Sequence, residues 1–116
     1  MRSAVRCLAV ALALLVLVPP VEARERGNEP RGATVVVRVR IVDKAFRPRN
    51  LSIARGTVVR WVNRGDRSHT TTSDTSIWDS DTLSPGEAFR RRFRRMGSFG
   101  YHCTIHSGMT ATITVT

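Results

Sequence analysis

A chain of 116 residues, with 19 lysines and arginines against 9 acidic residues and a net charge of +10, has room for one folded domain at most. Two cysteines exclude a disulfide-dense scaffold. Outside the apolar start no helical period recurs, which argues against a helical bundle.

Met1 to Arg6 carries Arg2 and Arg6, Cys7 to Val18 is an unbroken apolar run, and Pro19-Pro20 leads to the small-x-small site Val21-Glu22-Ala23. This order predicts a cleaved signal peptide over residues 1–23 and an exported protein, periplasmic or extracellular. The apolar run falls well short of the roughly 20 residues that span a bilayer as a helix. Cleavage would remove Arg2, Arg6 and Glu22 and leave a domain of net charge +9. It would also remove Cys7, so Cys103 would be the one remaining thiol in an oxidising compartment. Such a thiol is either a liability or occupied, and a metal is its natural occupant.

Residues 24–33 are polar and charged, with Gly27, Pro30 and Gly32, and predict a flexible lead into a domain spanning 34–116. From Thr34 onward, Val35, Val37, Val39 and Ile41 alternate with Val36, Arg38, Arg40 and Val42, the period of a strand with one buried face. Asn50–Ala54 is a short strand, Arg55-Gly56 a turn, and Thr57–Asn63 a strand rich in β-branched and aromatic residues. Arg64-Gly65-Asp66 breaks it, His69–Ser73 suits a further strand, and 74–86 with Trp78, Pro85 and Gly86 reads as a long ordered loop. Glu87–Arg94, Phe99–Cys103 and Thr110–Thr116 complete the set. Seven or eight short strands with turn residues between them predict an all-β, Greek-key sandwich. Its core is expected from Val35, Val37, Val59, Trp61, Phe89, Phe93, Phe99, Ile113 and Val115.

The segment Tyr101-His102-Cys103-Thr104-Ile105-His106-Ser107-Gly108-Met109 sets a thiolate, an imidazole and a thioether three positions apart between two predicted strands. His69, just after the Arg64-Gly65-Asp66 break, supplies a fourth donor. Two imidazoles and a thiolate with a weak axial thioether make a blue-copper electron-transfer site, tolerable to both Cu(I) and Cu(II). Structural zinc takes two or more cysteines in paired spacings, absent here, and the C-x-x-C-H of haem attachment is also missing. On a strand, His102 points away from the face of Cys103, which Tyr101 shares, so His102 is expected at the surface or in packing. The bland alternative is a core cysteine with two histidines and a methionine scattered in loops. That would make the ligand spacing a coincidence among three histidines and one mature cysteine.

Trp61-Val62-Asn63, His69-Thr70, Trp78-Asp79-Ser80, Leu83-Ser84-Pro85-Gly86 and the Tyr101–Met109 loop together resemble the plastocyanin and amicyanin branch of the cupredoxin family, over nearly all of 34–116. The resemblance implies one type 1 copper, with His69, Cys103 and His106 equatorial and Met109 axial, and His106 reaching the surface in an apolar patch as the electron port. Ser107 stands where many members carry proline and Thr70 where many carry asparagine, departures that bear on loop stiffness and potential.

Four protein ligands leave no open position for substrate, so an electron carrier is expected and not an enzyme. No G-x-S-x-G supports a hydrolase, and Asp74, Asp79 and Asp81 lack EF-hand spacing. A copper carrier or scavenger in copper homeostasis could use the same ligands, and a structural sandwich with incidental metal is a third reading. The dense cluster Arg90, Arg91, Arg92, Arg94 and Arg95 suits acidic redox partners or an anionic membrane surface. Against that stands a simple solvated strand face. Nucleic acid is not expected, because no aromatics interleave with the arginines. A monomer is expected.

Overall fold

The computed structural model describes residues 33–116. The predicted signal peptide and nearly all of the predicted lead lie outside the described residues. Eight strands follow in order: β1 Val36–Val42, β2 Ala45–Arg47, β3 Asn50–Ile53, β4 Val58–Asn63, β5 Thr72–Ser73, β6 Ala88–Arg92, β7 Gly97–His102 and β8 Thr110–Val115. They form two four-stranded sheets, ordered β2-β1-β4-β6 and β3-β8-β7-β5. The pairs β1–β4 and β3–β8 are parallel, and the remaining pairs are antiparallel. This is the all-β sandwich expected from the alternating strands.

Alternation sets the two inner faces. Register places Val39 beside Trp61 and Trp61 beside Phe89 in the first sheet, and Leu51 beside Ile113 and Ile113 beside Phe99 in the second. Between them lies an aromatic centre. The Trp61 ring, fully buried, sits 5.6–6.3 Å from the ring centres of Trp78, Phe89, Phe93 and Tyr101, distances at which aromatic pairs add to simple area burial.

Two expectations need correction, and one strand adds to them. Val35 is 62% exposed, because it precedes the paired part of β1. The predicted strand at His69–Ser73 shrinks to Thr72–Ser73, since the amide and carbonyl of His69 both bond to Leu83 and the carbonyl of Thr71 accepts from Ser80. The 74–86 loop thus takes the hydrogen bonds that a longer ladder would have used. β2, unforeseen in the sequence, is three residues long and anchors Phe46 opposite Ile41. Phe46 is core, as are Trp78, Tyr101 and Met109.

Candidate metal centre

Asn63, the last residue of β4, is fully buried and shapes the turn that follows it. Its Nδ2 donates to the carbonyls of Arg67 and Leu83, both at 2.8 Å, and its Oδ1 accepts from the Gly65 amide at 2.9 Å. Asp43, in the turn between β1 and β2, closes the same turn from outside. Its carboxylate accepts from the amides of Asp66 at 3.1 Å and Arg67 at 3.3 Å. A Cβ on Gly65 would fall on that carboxylate, so the close approach requires glycine at this position. The turn delivers His69 to the interior, where its ring is fully buried.

The His69 ring is held at both nitrogens. Nε2 lies 3.0 Å from Asp43 Oδ1, and Nδ1 lies 4.0 Å from Cys103 Sγ. The hydrogen bond from His69, followed by the Asp66 amide, holds the Asp43 carboxyl below its ordinary value. An ionised carboxylate only accepts, so the ring proton is assigned to Nε2 and the Nδ1 lone pair is turned toward the thiol.

Cys103 follows the last residue of β7. Its amide bonds to the Met109 carbonyl at 3.0 Å, closing the loop that holds His106, and the Thr70 amide donates to Sγ at 3.4 Å. His106 Nδ1 lies 3.7 Å from Sγ. The donor atoms of His69, Cys103 and His106 all lie within 4.8 Å of one another. Metal–nitrogen and metal–sulfur bonds of about 2.0 and 2.3 Å put trigonal donors roughly 3.7 Å apart, which is close to the nitrogen–sulfur separations here. Met109, 2% exposed, belongs to the same buried cluster as Cys103. Cys103 and His69 are buried too, and His106 is half-buried.

Thr70 crosses between the two loops. Its hydroxyl accepts from the Thr104 amide at 2.9 Å and lies 3.2 Å from the Thr104 hydroxyl. His102 turns outward and pairs through Nδ1 with Asp74. Asp43 carried no signal that could have marked it in advance: it lies 26 residues from His69, and only the meeting of two turns brings them together.

Compared with known proteins, the chain matches the family model of the cupredoxin-like domain over residues 7–115. The chain belongs to the cupredoxin family. It is 34% identical over 83 residues to plastocyanin of Scenedesmus fuscus, covering 60% of this chain and 85% of that protein. Among solved structures it is similar to a novel purple cupredoxin from Nitrosopumilus maritimus. There the TM-score is 0.66 at 26% identity, with 69% of this chain and 99% of the other covered. It also shares its fold with a reduced mutant of amicyanin, with a TM-score of 0.67 at 21% identity over 74% of this chain and 87% of that one.

A cupredoxin centre takes one copper ion, and the donors here fit it: two imidazoles and a thiolate at ligand separations, with a thioether in the same buried cluster. Bound copper would supply a one-electron couple. What the chain supplies is a frame in which Thr70 ties the two loops to each other and the Cys103–Met109 backbone bond closes the second of them, by contacts that involve no metal.

Proposed function

We propose that this cupredoxin is a small exported electron carrier, cycling one copper between Cu(I) and Cu(II) and passing electrons between redox proteins. His69, Cys103, His106 and Met109 would hold the metal. The observation that carries this reading is the approach of both imidazole Nδ1 atoms to Cys103 Sγ, at 4.0 and 3.7 Å, within loops fixed by their own hydrogen bonds. A ligand frame held in this way needs little rearrangement when an electron moves, and that favours transfer.

Exposure within the site supports a route for the electron. His69, Cys103 and Met109 are buried, whereas His106 is only half-buried and follows Ile105, which is 48% exposed. His106 would therefore meet the partner. Three strong donors and a thioether leave no position for a substrate, which favours a carrier over an enzyme. The apolar run and small-x-small site at residues 1–23 support export, and the excess of arginine supports acidic partners.

The test is to add Cu(II) to the protein and to Cys103→Ser, and to record visible and electron paramagnetic resonance spectra. An intense thiolate-to-copper band, absent from the variant and stable through repeated reduction and reoxidation, is expected. A weakly coloured adduct would sink the blue-copper reading. A coloured centre that surrenders its copper to a mild chelator on each cycle would move the function to copper delivery.

A further inference from the structure

The outer face of the β2-β1-β4-β6 sheet is an arginine lattice. Register sets Arg38 beside Arg60, Arg60 beside Arg90, and Arg40 beside Arg47. Arg92 follows two residues after Arg90 on the same face of β6. Strand neighbours lie about 4.8 Å apart, so Arg38, Arg60 and Arg90 form a row of like charges across three strands. Like charges directly opposite each other destabilise a sheet. No carboxylate lies on any of these four strands, and among the described residues the ion pairs join only histidines to aspartates.

A general bias toward arginine does not account for the pattern. The outer face of the other sheet, built by the same chain under the same alternation, carries Asn50, Ser52, Thr112, Thr114 and Ser98. One face of the sandwich is polycationic, whereas the charges on the other are few and of both signs: the His102–Asp74 pair, Arg49 at Thr110 and Asp79 at Thr72. The cationic face also lacks what a tight protein interface needs. The residues between its arginines are valines and alanines, with no aromatic side chain to anchor a hot spot. A broad face of guanidinium groups without an anchor suits a flat polyanion whose charges need no fixed arrangement.

We propose that this face binds an anionic lipid bilayer, through guanidinium contacts to headgroup phosphates. The turn after β6 extends the surface with Arg94, Arg95 and Met96, the last 65% exposed. The metal centre lies at the end of the sandwich where β7 meets β8 and takes no part in the lattice. His106 therefore stays free for a partner while the sheet lies on the membrane. The lattice would meet the bilayer in the same way whichever metal the site holds.

The test uses the full chain and vesicles of pure phosphatidylcholine or of phosphatidylcholine with phosphatidylglycerol, assayed by sedimentation at two salt concentrations. Binding is expected only with phosphatidylglycerol and is weakened by salt. A juxtamembrane arginine contributes roughly fivefold in affinity, so R38Q/R60Q/R90Q should lose roughly a hundredfold. The control R55Q/R64Q/R67Q removes the same charge from exposed loop positions and should lose far less. Equal losses in the two variants would show that net charge alone is read, and would overturn the proposal. Binding to both vesicle types that neither variant weakens would assign the association to the apolar run at Cys7–Val18 and overturn it too. So would failure to bind vesicles under conditions where polyglutamate binds. Thermal unfolding separates misfolding from lost binding: relief of like-charge repulsion should leave the lattice variant at least as stable as the parent.

Discussion

Asp43 Oδ1 stands 3.0 Å from His69 Nε2 while accepting from the backbone amides of Asp66 and Arg67. One carboxylate thus fixes both the orientation of a buried imidazole and the turn that carries it. Outer partners of this kind are commonly worth ten- to a hundredfold in metal affinity.

Asp43→Asn keeps the size and removes the charge. Copper affinity should fall by roughly ten- to a hundredfold, read by competition against a chelator of known strength. Asp43→Ala should fall further, because it also frees the turn. Unchanged affinity in both variants would show that the Asn63 bonds alone position His69.

Thr70 differs from the asparagine common at this place, and its hydroxyl is the acceptor for the Thr104 amide. Thr70→Val removes that acceptor with little change of shape and leaves a part-buried amide without its partner, a cost of about 1–3 kcal/mol. Urea unfolding of the metal-free protein should show this loss. Thr70→Ser should restore most of the stability.

Trp61 fills the centre of the sandwich. Trp61→Ala should cost about 3–5 kcal/mol, a large share of the roughly 5–15 kcal/mol available to a domain. Copper at a hundred times its dissociation constant returns about 2.7 kcal/mol. The variant should therefore unfold easily without metal and recover cooperative unfolding with it, as followed by calorimetry. A variant whose stability does not rise on adding copper would mean that the site no longer forms.

Tyr101 is the single tyrosine, and its buried hydroxyl meets no hydrogen-bond partner among the described residues. Burial pushes its pKa from 10.0 up to about 12. The unfolded chain gives up this proton first, so the native state binds more protons between those values and stability falls as pH rises from about 10 to 12. An ultraviolet titration should show no tyrosinate near pH 10 and a rise near pH 12. Ordinary ionisation at pH 10 would mean that the ring is accessible.

The loop Cys103–Met109 was legible because three of the four donors lie in one short segment, and β1 because its valines and arginines alternate cleanly. Tyr101 and His102 were legible through the same alternation, one buried beside the thiol and one turned to solvent. Asp43 was not, since its role arises where two turns far apart in sequence meet. The arginine face was legible only as a local cluster at Arg90–Arg95. Its members Arg38, Arg60 and Arg90 become neighbours through a parallel pairing and an antiparallel one that no local pattern specifies. β2 was hidden by its brevity, and the strand at His69 was overstated because threonine propensity gave way to the loop's claim on the backbone.

The last strand, β8, bonds to β7 along one edge and to β3 along the other, so Ser52 meets Thr114 across 62 positions of chain. Contacts this distant in sequence form late, because closing so large a loop costs entropy before any bond repays it. A chain that has emerged as far as Met109 already contains every donor. Without β8, however, nothing pairs with the inner edges of β3 and β7 or fixes the far side of the ligand loop. The metal centre is thus coupled to the final event of folding, and a tightly held copper would report that the whole sandwich has closed.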